Sequence, residues 1–264
     1  MSGESSCPTL IRKRLWQSRR DHYIAVFENA LMLLCQRSEL PVDEPGLVRE
    51  LHVTSVTARR KLDPKGRYGS PVFEAQSLPD PDSQILESFE YKRPDIQWIH
   101  DDESAVDDRH REKSFVIECK RLGRTTASGW NLNEQYVIGG VSRFLSPEWR
   151  YGLHMSEGMM IGFIQDMTPS EILFVLNEYL GNRSVSNLES EMPLSDRGVN
   201  RLSHEFERPF SKSPFTLLHQ WVDIRGVRAV PSIKTTRKKL PKKRLKSNRG
   251  RSSERASNTS SGGI

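Results

Sequence analysis

The chain has 264 residues, 35% apolar and 28% charged, with a net charge of +6; that length buries one substantial core and favours one domain, or two at most. Cys7, Cys35 and Cys119 have neither metal-ligand nor disulfide-framework spacing, which suits a reducing compartment. The first twenty residues are polar and basic, unlike a signal peptide, and no apolar run approaches the roughly 18–20 residues of a membrane helix, so a soluble cytoplasmic protein is expected.

In chain order, residues 1–20 read as a flexible N-terminal segment. From Asp21, Tyr23, Val26, Phe27, Ala30, Leu31 and Leu34 recur at helical spacing and predict an amphipathic helix. A polar stretch punctuated by Pro and Gly follows, with one or two short helices expected between Pro45 and Arg60, a strand in "SPVFEAQSL", and a turn at Pro79–Asp82. The runs "KRPDIQWIH" from Lys92 and "KSFVIECKRL" from Lys113 predict two strands. The acidic loop between them, with Asp101, Asp102, Asp107 and Asp108, reads as a solvated hairpin tip.

Next, "NLNEQYVIGGVSRFLS" predicts a helix with Val137, Val141, Phe144 and Leu145 on one face and Gln135, Gly139, Ser142 and Arg143 on the other. "GMMIGFIQ" is apolar throughout, as a strand buried on both faces is. Thr168, Pro169 and Glu171 spell a helix start with a capping box, and Gly181 a stop. "HEFERPF" and "SPFTLLHQWVDIR" close the core as a strand pair, with His204 and His219 read as packing or surface residues. The expected whole, residues 21–224, is an α/β domain with a mixed sheet of about five strands flanked by helices.

Charge inside two apolar strands needs a reason. In "KSFVIECKRL", Glu118 and Lys120 share a face roughly 7 Å apart, while Cys119 points the other way. Pairing the two strands as a hairpin sets Asp95, at the start of one, across from Glu118 near the end of the other. Two carboxylates and an ammonium then converge at one end of a sheet. Hard oxygen ligands of this kind suit Mg²⁺ or Mn²⁺, which accept phosphate oxygens and polarise a bound water.

At "RPD" (Arg93–Asp95) and "ECK" (Glu118–Lys120) the chain resembles the PD-(D/E)XK nuclease superfamily, whose fold is restriction-endonuclease-like. The resemblance implies a nuclease that hydrolyses phosphodiester bonds with Mg²⁺ or Mn²⁺, Asp95 and Glu118 as metal ligands and Lys120 as catalytic lysine. It also implies an acid on the first helix, for which Glu28 is the best-placed match, and a substrate contact at Gln135. Arg143 is expected to meet a backbone phosphate across the Gly139 notch. The alternative is a nuclease-fold module that binds nucleic acid or a protein partner without cutting it, alone or as a homodimer.

The last forty residues carry the basic character. From Arg225 onward there are thirteen Lys and Arg against the single acid Glu254, a net +12 that leaves the other 224 residues at −6. Residues 225–264 hold too few apolar side chains to offset ordering entropy and are expected to be a disordered tail. Lys238, Lys239, Lys242, Lys243 and Arg244 form its densest run, which suits a polyanion such as DNA through counterion release. A solubilising tail and, in a eukaryotic source, a nuclear-localisation signal are the other readings.

Overall fold

The structure, a computed structural model, describes residues 8–103 and 105–231, with side chains from residue 15 onward. The chain divides into two units, Met1–Ser232 and Ile233–Ile264, and the second lies outside the described residues. Helix α1 (Pro8–Cys35) is followed by strand β1 (Glu39–Pro41) and helix α2 (Glu44–Leu62). Asp43 caps α2 by accepting from the Gly46 N–H at 2.8 Å, Pro45 suits its first turn, and Arg59, Arg60 and Lys61 complement the dipole at its end.

Strands β2 (Val72–Phe73), β3 (Ile96–Asp101), β4 (Glu112–Leu122), β5 (Glu157–Ile164), β6 (Glu189–Ser190), β7 (Val199–Phe206) and β8 (Phe215–Asp223) form a seven-stranded mixed sheet among the described residues, in the order β2-β3-β4-β5-β8-β7-β6. The pairs β3–β4 and β7–β8 are antiparallel, whereas β4–β5 and β5–β8 are parallel. Five strands are long, as the sequence predicts, and the two-residue strands β2 and β6 extend the edges. β9 (Arg228–Val230) pairs with β1 in a separate two-stranded parallel sheet.

Each face of the large sheet carries its own apolar core, because strand side chains alternate and both faces are covered by helices. On one face, Tyr23, Phe27 and Leu31 of α1 and Leu47 and Leu51 of α2 pack on Ile96, Trp98, Phe115, Ile117, Cys119 and Ile161. On the other lie helix α3 (Leu132–Tyr136), a single π turn (Val137–Val141), helix α4 (Ser142–Leu145) and helix α5 (Pro169–Gly181). Tyr136, Val137, Phe144 and Leu176 there meet Val116, Met160 and Trp221. The Thr168 capping box forms as its sequence predicts, and Cys119 is buried on the α1 face, away from Glu118. His204 and His219 are both buried packing residues.

Three expected boundaries shift. The first helix begins at Pro8, so residues 8–20, read as flexible, are helical. Their docking is aromatic and polar: Trp16 packs on Tyr23, His100 and Phe115, its Nε1 donates to Glu157 Oε2 at 2.7 Å, and Arg20 Nε lies 3.3 Å from Glu157 Oε1. One 19-residue helix replaces the short helices expected from Pro45 to Arg60. The folded chain also passes residue 224, since Arg225 binds Asp223 and Asp196, and Arg228 pairs with Glu39 beside β9.

His100, only 8% exposed, gives a pH prediction. Burial, reinforced by Arg19 and Lys113, pushes its pKa from 6.5 down to about 4. A histidine whose folded pKa is depressed stabilises the fold in its neutral form, so its contribution is complete above pH 6.5 and is lost as pH falls toward 4. The loss amounts to about 3 kcal/mol. Urea unfolding at pH 7 and pH 4.5 should show His100→Gln losing clearly less stability on acidification than the parent; equal losses would refute the assignment.

Candidate active site

The β3–β4 register settles how the charged residues of the two strands meet. Ile96 pairs with Ile117, and one step outward Asp95 stands opposite Glu118. Asp95 Oδ2 accepts the Cys119 N–H at 2.7 Å, which fastens this carboxylate to the neighbouring strand beyond the last ladder pair. Glu118 and Lys120 project from the same face of β4 as Val116, toward the π turn and α4. Asp95, Glu118 and Lys120 thus belong to one cluster.

The centre of the cluster is buried and its edge, at Asp95, Glu44 and Arg143, is partly exposed. Glu118 is fully buried and Lys120 7% exposed. Lys120 Nζ donates to Glu118 Oε1 at 2.8 Å, to Glu44 Oε1 at 2.7 Å and to the Cys119 carbonyl at 2.8 Å, so its three donors are all used. Arg143 Nη1 also donates to Glu118 Oε1, and its guanidinium lies 4.2 Å from the centre of the Trp149 ring. Lys92 Nζ sits 4.4 Å from that same ring centre and 2.8 Å from Glu148 Oε1. Glu118 Oε2 is buried and makes no hydrogen bond among the described residues.

These contacts set the protonation pattern. Burial, and then the charge of Asp95, push the Glu118 carboxyl up to about 7, against the pull of Lys120 and Arg143. Burial also raises Asp95, offset in part by Lys120 and by the Cys119 N–H. For Lys120, burial opposes the charge, but Glu118, Asp95 and Glu44 outweigh it and raise its pKa. The ammonium is therefore held charged, while the two carboxylates are short of positive charge.

That shortage, together with the unpartnered Oε2, fits a small hard cation. Mg²⁺ is commonly held by one or two carboxylates and completes its shell with water and phosphate oxygens. Asp95 and Glu118 would be the protein ligands. Among the described residues no three His, Cys, Asp or Glu side chains gather as a metal-holding group.

The remaining expected site residues divide. Arg143 joins the cluster, on Glu118. Gln135 borders it: a Cβ built on Gly139 would lie 3.2 Å from Gln135 Oε1 and 3.8 Å from Lys120 Cε, so the missing side chain leaves the notch open beside both. Glu28 does not join, because it pairs with Arg201 on β7, three strands from β4 in the sheet order. The acid that reaches the lysine is Glu44, in the first turn of α2, which the sequence reading missed. An acid after an N-cap is so ordinary at a helix start that nothing marked it out. Lys238, Lys239, Lys242, Lys243 and Arg244 lie outside the described residues.

No family model, curated protein or solved structure matches the chain. Among the described residues no helix is long and apolar enough to cross a membrane.

Proposed function

We propose that the protein is a metal-dependent nuclease acting on DNA, with a restriction-endonuclease-like core formed by β3, β4, β5 and β8 and the helices around them. The observation that carries this reading is the convergence of Asp95, Glu118 and Lys120 at one end of a buried hairpin, with an unpartnered carboxylate oxygen. Mg²⁺ or Mn²⁺ bound there supplies a Lewis acid for a phosphate oxygen and a water of lowered pKa. Lys120, held charged by three carboxylates, cannot act as a neutral base, and with its three donors used its part is to stabilise charge developing on the phosphate. Arg143, braced on Trp149, offers a second cation to that phosphate when it leaves Glu118. The open Gly139 notch lets a nucleic-acid backbone approach Lys120 and Gln135.

One observation favours the non-cutting alternative. Lys120 and Arg143 both donate to the same Glu118 oxygen, so two side-chain cations already share part of the role of a metal. Incubating the purified protein with plasmid, linear and single-stranded DNA separates the two readings. Cleavage with Mg²⁺ or Mn²⁺ that stops with chelator supports the nuclease, and binding without cleavage under every metal condition supports the module.

Affinity should depend on the basic segment rather than on this site. Deleting residues from Ile233 onward removes eleven Lys and Arg together with Glu254. DNA binding should weaken and its dependence on salt should flatten, since the slope scales with the phosphates neutralised. The rate at saturating DNA should stay roughly unchanged, because no proposed ligand is removed. Equal affinities and slopes for the full and shortened chains would assign the segment to solubility or localisation.

A further inference from the structure

A cavity of about 580 Å³ opens at the other end of the β3–β4 hairpin. His100 and Lys113, which face each other there, are four residues along the strands from the Ile96–Ile117 pair, or about 13 Å. His100 also stands on the α1 face of the sheet, opposite to Glu118. The cavity is therefore no extension of the carboxylate cluster. Its volume lies within the range of small-molecule sites, about 300–1,000 Å³.

The lining has a polar half and an apolar half. Three of the four acids on the rim are paired, Asp101 with Arg111 at 2.7 Å, Asp107 with Arg109 at 2.6 Å and Asp102 with Lys113, and the fourth, Glu103, is exposed. The cations Arg19 and Lys212, which also line the cavity, form no ion pair among the described residues; Arg19 is partly buried and Lys212 is exposed. His100, over nine-tenths buried, has an Nδ1 atom without a partner among those residues. Trp16, stacked on His100 with ring centres 5.1 Å apart, lines the apolar half with Leu15 and Met155. Cations without an acid partner beside an apolar wall recognise an anionic head on a flat organic body.

We propose that this cavity is a second ligand site, which takes a planar organic anion of mononucleotide size. Its head meets Arg19, Lys212 and His100, and its body lies against Trp16 and Met155. A phosphate or a carboxylate head satisfies the same donors.

Calorimetric titration of the full chain, metal-free, tests the assignment with four probes: a nucleoside monophosphate, the uncharged nucleoside, an aromatic carboxylate and inorganic phosphate. The nucleoside monophosphate or the aromatic carboxylate should bind more tightly than phosphate or nucleoside alone, and the tighter of the two identifies the head. Lys212→Ala and Arg19→Ala should each weaken that binding about tenfold or more, the loss typical of a charged hydrogen bond, with unchanged circular dichroism. Absence of binding by both organic anions at millimolar concentration would overturn the proposal. So would affinities unchanged in both variants, or inorganic phosphate binding as tightly as the larger anions.

Discussion

Replacing Glu118 by glutamine is expected to lower metal-dependent DNA cleavage by at least about a hundredfold, the scale that losing several kcal/mol of transition-state stabilisation represents. Glutamine retains the size of the side chain and an oxygen that can accept from Lys120 and Arg143. It removes the charge that the proposed metal would need at Glu118 Oε2, which is buried and unpartnered among the described residues. Alanine should abolish cleavage as fully, but it leaves a cavity and two cations with one acceptor fewer. The glutamine variant therefore carries the comparison, with thermal unfolding followed in parallel. A folded Glu118→Gln protein that cuts at the parental rate under matched Mn²⁺ would remove Glu118 from the catalytic assignment.

The part of this site that was legible in the sequence is the part governed by strand period and register. Alternation places Glu118 with Lys120 and against Cys119, and antiparallel pairing brings Asp95 to Glu118; both follow from two short motifs and the loop between them. Glu28 and Glu44 mark where that logic stops. Both are helix acids with ordinary sequence surroundings, and only the packing of α1 and α2 on the sheet decides which reaches Lys120. The same limit explains α1, whose first half docks through Trp16 and Arg20 on Glu157 instead of an aliphatic stripe. Arg143 reads in the sequence as lying opposite the apolar face of its helix; in the structure it is partly buried and reaches Glu118. Its ion pair with Glu118 depends on the π turn, which changes the angular offset between residues on either side of it.

Asp95→Asn should separate the stability of this cluster from its chemistry. Burial raises the Asp95 carboxyl, so its ionised form is less favourable in the folded chain than in the unfolded one. An acid of this kind costs stability at pH values above its folded pKa, and that cost disappears as the group is protonated. Asparagine is neutral at every pH and keeps an oxygen for the Cys119 N–H. It also removes the second-largest contribution raising Glu118, the charge of Asp95. In chelator at pH 8, the variant is expected to melt above the parent. Adding Mn²⁺ reverses the order: a cation bound only by the folded state stabilises it in proportion to the logarithm of its concentration over the dissociation constant, so the parent should gain and the variant should not. Cleavage by the variant should fall by about a hundredfold or more, since one of the two proposed protein ligands is lost. A parent whose melting temperature ignores Mn²⁺ would remove the metal site from the free protein and leave Lys120 and Arg143 as the counterions of Glu118.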